Sequence, residues 1–293
     1  MGGIFTWRYR WDLNPRWALT HTTFRELHLR PLGHGTGREF STRRPYARTV
    51  EILLIVVGAL AIAAVAVAGW VRWLSRRQGR WRVRLSDRIP VHSKFWRDRA
   101  NEEGDLLYVA MGDSAAQGIG ASRPDHSYVG FLVRHLQSHT NRTVRVANLA
   151  ISGATVRRAI DEQLPRLAKL QPDILTICIG ANDIRAFDER RFEREIAEVF
   201  DALPPHAIVA DLPSFYFLPS QKRVHAANRI IRDAAAARHL TVAPLHARTH
   251  RQGLWGVSRQ FAADLFHPND RGYRVWAAAF EPAVDARLST LDQ

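Results

Sequence analysis

The sequence predicts an α/β domain built on a parallel sheet with helices on both faces, preceded by one membrane-spanning helix. Three observations predict it. From Leu106 onward, short apolar runs alternate with amphipathic stretches. Those runs are apolar throughout, unlike the alternating pattern of a strand with one wet face. Upstream, residues 52–71 form an unbroken apolar run with no ionisable side chain.

Taken from the N-terminus, residues 1–49 scatter Trp7, Trp11 and Trp17 among arginines with no sustained period. They read as a low-order tail, or as sequence lying upstream of the true translation start. The apolar run that follows has 20 residues and reaches about 30 Å at 1.5 Å per residue, the thickness of a hydrocarbon core. It is read as a transmembrane helix over 50–73. Gly58 and Gly69 are tolerated there because lipid offers the backbone no partner but itself, and Trp70 and Trp73 fall where an interfacial aromatic belt lies. Ala66-Val67-Ala68 resembles a signal cleavage site, yet the run is long and begins about fifty residues into the chain.

Four arginines flank the run on its N-side (Arg38, Arg43, Arg44, Arg48) and six on its C-side (Arg72, Arg76, Arg77, Arg80, Arg82, Arg84). That difference favours a cytoplasmic C-side only slightly and leaves open on which side the folded domain lies. Residues 74–104 read as a basic juxtamembrane linker. Their arginines, with Trp81 and Trp96, suit either anionic headgroups or plain solvation.

The formal charge of +14 first suggests a nucleic-acid binder, but residues 1–100 hold +13 of it and residues 101–293 only +1. The charge thus sits beside the apolar run and not on the folded part, which ranks a binding module for nucleic acid or an anionic surface low, and no nucleic-acid partner is expected. The single cysteine, Cys178, excludes an internal disulfide and a Cys-ligated zinc, and is read as core. His135/His139 and His246/His250 are spaced i,i+4 but lack a third ligand, so they read as surface histidines; no metal or cofactor is expected.

Strands are expected at 106–111, 144–149, 174–179, 207–212 and 241–245, and helices at 128–138, 155–170, 190–203 and 221–239, with a last helix after Pro268. In such a sheet ligands bind beyond the carboxyl ends of the strands. There the sequence places Met111-Gly112-Asp113-Ser114 after the first strand, Asn148 to Ala154 around the second, and Gly180-Ala181-Asn182-Asp183 after the third. Asp264-Leu265-Phe266-His267-Pro268-Asn269 stands before the final helix.

A serine hydroxyl becomes a useful nucleophile when a base takes its proton, and a histidine does so when its ring is held in one tautomer. Ser114 and His267 supply the pair, and Asp264, three residues before His267, is spaced to accept from Nδ1–H in a tight turn. The N–H groups of Ser114 and Gly153 and the Asn182 amide follow neighbouring strands and can converge on an oxyanion, each donor being worth about 3 kcal/mol of barrier. At 153 a side chain would obstruct the substrate's approach to the backbone. Asp183 reads as a local capping residue.

The four blocks, Gly-Asp-Ser at 112–114, Gly153, Gly-Ala-Asn-Asp at 180–183 and Asp-Leu-Phe-His-Pro-Asn at 264–269, resemble those of the SGNH hydrolases, the GDSL-like esterase/lipase family. The resemblance covers roughly 105–290, so the hydrolase domain is placed at 105–293. It implies a three-layer α/β/α sandwich with a flavodoxin-like five-stranded parallel sheet, Ser114 as nucleophile, His267 as base, Asp264 as its orienter, and Gly153 and Asn182 in the oxyanion hole. Ala115 stands where many members carry Leu, and Gly-x-Ser-x-Gly is absent, which sets the chain apart from the α/β-hydrolases.

The expected function is a membrane-anchored serine esterase acting on a small-molecule or lipid ester, with carbohydrate or cell-envelope O-deacetylation as the alternative on the same fold. Loops 117–125 and 214–222 are expected to shape the acyl site, with Phe215, Tyr216 and Phe217 as candidate lining. Nothing in the sequence sets acyl length, alcohol or oligomeric state.

Overall fold

The computed structural model describes residues 45–216 and 220–293. The reading of residues 1–49 as a tail thus falls almost wholly outside the described residues, as does Phe217.

Helix α1 runs from Pro45 to Ser86, and α2 from Ile89 to Arg99. The apolar part of α1 is exposed along its length and has a mean hydropathy of 2.9 over its most apolar window, long and apolar enough to cross a membrane. The helix does not stop at residue 73. It continues through the arginines, which are good helix formers, and breaks only around Asp87–Arg88, just before Pro90 in the first turn of α2. The stretch expected as a linker is therefore helical over most of its length. Leu85, His92 and Trp96 are buried, so the part of this stretch from Leu85 onward is packed onto the domain.

The domain alternates strand and helix as expected. Strand β1 (Leu106–Gly112) leads into a one-turn helix α3 (Ser114–Gln117), then α4 (Tyr128–His139) and β2 (Val144–Asn148). Two short pieces follow, α5 (Val156–Arg158) and α6 (Leu164–Leu167), and then β3 (Ile174–Cys178). The rest is α7 (Glu189–Asp201), β4 (Ile208–Ala210), α8 (Ser220–Ala236), β5 (Thr241–Ala243), α9 (Leu245–His250), α10 (Gly253–Arg259) and α11 (Asp270–Leu291).

The five strands pair in the order β2-β1-β3-β4-β5, all parallel. Every residue of β1 is buried. Leu106, Tyr108 and Ala110 point into a core shared with α2, α4 and α11, whereas Leu107, Val109 and Met111 point into one shared with α7 and α8. This two-sided burial is why the strands read as continuous apolar runs. Starting the sheet at β1 and sending β2 and β3 to opposite sides of it creates a topological switch point at the carboxyl end of β1.

The expected single helix over 155–170 is instead broken. Between α5 and α6 the chain makes a π-helical turn at Ala159–Gln163, and Pro165 sits in the first turn of α6. The wider turn places Gln163, fully buried, against the end of β1. Such π-turns interrupt the 3.6-residue period on which the sequence reading depends.

Candidate active site

Three neighbouring strand ends and the loop before α11 supply the site. Where β1 stops, Asp113 caps α3, its Oδ1 accepting from the N–H of Ala115 at 2.9 Å. That cap turns the chain sharply and sets Ser114 at the first position of the helix, where its N–H has no intrahelical partner. Gly112 permits the turn: its φ is +156°, and a Cβ there would lie 2.6 Å from the carbonyl oxygen of Cys178 on β3. Gln163 then clamps the same residue, accepting from Gly112 N–H at 3.0 Å and donating to Gly112 C=O at 2.8 Å.

The imidazole of His267 reaches this turn from the far end of the chain. Its Nε2 is 2.9 Å from Ser114 Oγ, and its Nδ1 is 2.7 Å from Asp264 Oδ2. A carboxylate only accepts, so Nδ1 carries the proton and Nε2 is left as the acceptor for the serine hydroxyl. Asp264 is fully buried, and its Oδ1 also accepts from the N–H groups of Phe266 and His267, each at 3.1 Å. Burial raises the pKa of this carboxyl, but the hydrogen bond and charge of His267 and the two N–H donors outweigh it, so the net shift is downward. The turn is tight enough to put Leu265 at φ +54°, a left-handed conformation that a branched side chain rarely adopts.

Gly153 lies in the loop after β2 at φ +77°, and a Cβ there would meet no protein atom within 4 Å. Glycine is thus demanded by the backbone conformation, and the space above it is open to a substrate. Ser152 Oγ donates to Gln117 Oε1 at 2.6 Å and Gln117 Nε2 donates to the carbonyl of Ala150 at 2.8 Å, which ties this loop to the turn carrying Ser114.

Asn182 follows β3, and its Nδ2 donates to Asp113 Oδ2 at 3.1 Å and to the carbonyl of Ala154 at 2.9 Å. The amide therefore stands beside the nucleophile turn with both hydrogens engaged, and donation to a substrate oxygen requires one of them to be released. Asp113 is 5% exposed and its carboxyl is lifted to about 6, chiefly by burial and against the pull of the Ala115 N–H and the His267 charge. Asp183 serves the local structure instead, its Oδ2 accepting from Val156 N–H at 3.1 Å, and burial raises its carboxyl to about 6 as well.

All five residues singled out in the sequence, Ser114, Gly153, Asn182, Asp264 and His267, thus fall on one sheet edge, and Ser114, His267 and Asp264 form one hydrogen-bonded chain. Gln163 and Gln117, which position that chain, had no motif to announce them. Their signal is polar residues buried where a helical face should be apolar.

The mouth beside His267 is aromatic and partly exposed. Phe266 packs edge-on to the His267 ring at 5.0 Å between centroids, and Phe215 packs edge-on to Phe266 at 6.4 Å. Tyr216 packs on Phe261 and donates its hydroxyl to Thr249 C=O. The backbone N–H groups of Phe215 and Tyr216 are held by Gln221 Oε1. His246 and His250 stack beside this loop and His225 faces His246, but among the described residues no group of His, Cys, Asp or Glu is arranged to hold a metal. Burial, with its histidine neighbours, lowers the His246 pKa to about 4.

LAE5, an alpha/beta hydrolase enzyme from the metagenome of Lake Arreo, Spain, is 24% identical, with a TM-score of 0.53 over 62% of this chain and 96% of its own. The lipase/acylhydrolase from Enterococcus faecalis is 19% identical, with a TM-score of 0.54 over 62% of this chain and 96% of its own. Axe2, an acetylxylan esterase from Geobacillus stearothermophilus, is 21% identical, with a TM-score of 0.51 over 61% of this chain and 94% of its own. At these identities the likeness is one of fold. A search of curated proteins finds no match. The family model of the GDSL-like Lipase/Acylhydrolase family matches residues 110–275, more than half of the chain. The chain belongs to the GDSL-like lipase/acylhydrolase family, hydrolases that act on ester bonds.

Proposed function

We propose that this chain is a membrane-anchored serine esterase that hydrolyses carboxylic esters through an acyl-enzyme. The observation that carries the reading is the unbroken relay from Ser114 Oγ through His267 to the buried Asp264 carboxylate, at the switch point of the sheet. Ser114 Oγ attacks the ester carbonyl while His267 Nε2 takes its proton. Asp264 Oδ2 holds Nδ1–H and stabilises the imidazolium that forms. The N–H groups of Ser114 and Gly153 and the Asn182 amide receive the carbonyl oxygen as it becomes anionic. Collapse expels the alcohol with the proton from His267, and water then repeats the sequence on the acyl-enzyme to release the acid. The long apolar helix α1 supports anchoring by a single span.

The test is Ser114→Ala in the full chain with p-nitrophenyl butyrate. Loss of about 10⁴-fold or more in kcat is expected, and equal hydrolysis by both proteins overturns the reading. Acetylated xylan and lysophospholipid in the same panel separate O-deacetylation from lipid hydrolysis. A topology reporter fused after Gln293 reads which side of the membrane carries the domain.

A further inference from the structure

We propose that helix α2 braces the active site: His92 and Trp96 are positioning residues that, through Gln117, fix the nucleophile Ser114 and the oxyanion loop at Gly153 relative to one another. This rests on the serine-esterase reading above. It brings into the site an element that ends at Arg99, upstream of the residues 110–275 that the family model matches.

Gln117 is the joint. It closes the one-turn helix α3 that begins at Ser114, and a carbonyl at such an end has no partner within the helix. Two side chains of α2 meet that carbonyl together, His92 Nδ1–H donating at 2.9 Å and Trp96 Nε1–H at 3.1 Å. The Gln117 side chain reaches the other way. Its Nε2 donates to Ala150 C=O at 2.8 Å, and its Oε1 accepts at 2.6 Å from the hydroxyl of Ser152, the residue before Gly153. Ser93 Oγ, also in α2, accepts from the same Nε2 at 3.3 Å. In the esterase reading Ser114 brings the nucleophile and one backbone N–H, and Gly153 brings a second N–H for the oxyanion. The placement of Gln117 therefore sets the distance between the two halves of the site.

Packing alone does not account for His92. A carbonyl only accepts, so Nδ1 carries the proton and Nε2 is a bare lone pair. The residue is fully buried, and Nε2 has no hydrogen-bond partner among the described residues. An orphaned buried acceptor costs stability, and a leucine would fill a similar space without that cost. Burial lowers the His92 pKa, against the pull of Gln117 C=O and with the help of Arg88, so the ring is neutral and has one N–H to give. It gives that N–H to the turn that carries the nucleophile.

The experiment uses the full chain in detergent, with p-nitrophenyl butyrate as substrate and butylboronic acid as an inhibitor that forms a tetrahedral adduct on serine. His92→Leu removes one donor to Gln117 C=O together with the orphaned Nε2. Trp96→Phe removes the other donor and keeps an aromatic ring. Each variant leaves the carbonyl one donor and should lower kcat about fivefold with KM within about twofold of wild type. The pair leaves it none and should lower kcat about 10²-fold, as for a displacement of about 1 Å, which exceeds the product of the single effects. The inhibition constant of the boronic acid should rise by the factor by which kcat falls, because only the tetrahedral adduct uses the oxyanion donors. The urea midpoint of His92→Leu should stay at or above that of wild type. A double variant with kcat and boronic acid affinity within about threefold of wild type overturns the proposal. If the pair fails to fold, kcat within about twofold of wild type in both single variants does the same. A loss carried by KM alone, or a lower midpoint in His92→Leu with unchanged kcat, marks α2 as core packing and also overturns it. Failure of the wild type on p-nitrophenyl butyrate overturns the esterase reading instead.

Discussion

Gln163→Leu tests whether the β1 end is held in place or merely occupied. Both Gly112 groups that Gln163 binds lie in the interior, at 3.0 and 2.8 Å from its side-chain amide. Leucine is of similar size but can pair with neither group. A buried backbone N–H or C=O left without a partner costs about 1–3 kcal/mol, so the pair predicts a loss of about 2–6 kcal/mol. Gly112 is two residues before Ser114, and a shift of about 1 Å in the nucleophile costs about 10²-fold in rate. Urea melts of the full chain in detergent give the first quantity and p-nitrophenyl butyrate kinetics the second. A stability loss below about 1 kcal/mol, with kcat within twofold of wild type, would refute the positioning role.

Three further outcomes are expected. Asp264→Asn should lower kcat on the same ester by about 10⁴-fold, because the amide no longer enforces the Nδ1–H tautomer; an unchanged kcat would remove Asp264 from the relay. Asn182→Ala should lower kcat by about 10²–10³-fold with little change in KM, and a loss below threefold would mean that its amide stays with Asp113 and Ala154. Burial lifts Asp183 from 3.8 to about 6, so the folded chain holds this proton more tightly than the unfolded one. Its stabilising contribution is full below about pH 4 and is lost as the pH rises to 6, which amounts to about 3 kcal/mol. Asp183→Asn should therefore gain stability relative to wild type between pH 4 and pH 7, read by melting at each pH, and a constant difference would contradict the assignment.

Much of this molecule was legible because its strands are short, apolar and buried on both faces. Expected strand 106–111 differs from β1 by one residue, and Ser114, Gly153 and Asn182 do lie just past three neighbouring strand ends. Ser114, Asp264 and His267 were readable as types, since few other sets can activate a hydroxyl at neutral pH. Gln163 was not readable, because a π-turn shifts the helical register by one residue and turns a polar side chain inward. Nor was the docking of α2: His92 and Trp96 lie one helical turn apart, but the arginines around them masked that face as a solvated linker. Of the two hydrogen bonds that occupy the Asn182 amide, one goes to Asp113, which the motif places next to Ser114, and the other to the carbonyl of Ala154, which no motif announces.

The central claim, that Ser114 is the nucleophile activated by His267, is tested most directly by labelling the full chain with a fluorophosphonate and mapping the adduct by mass spectrometry. One phosphonyl group on Ser114 is expected, formed much more slowly in His267→Ala and absent from Ser114→Ala. An adduct on another residue, or equal labelling of wild type and Ser114→Ala, would contradict the account.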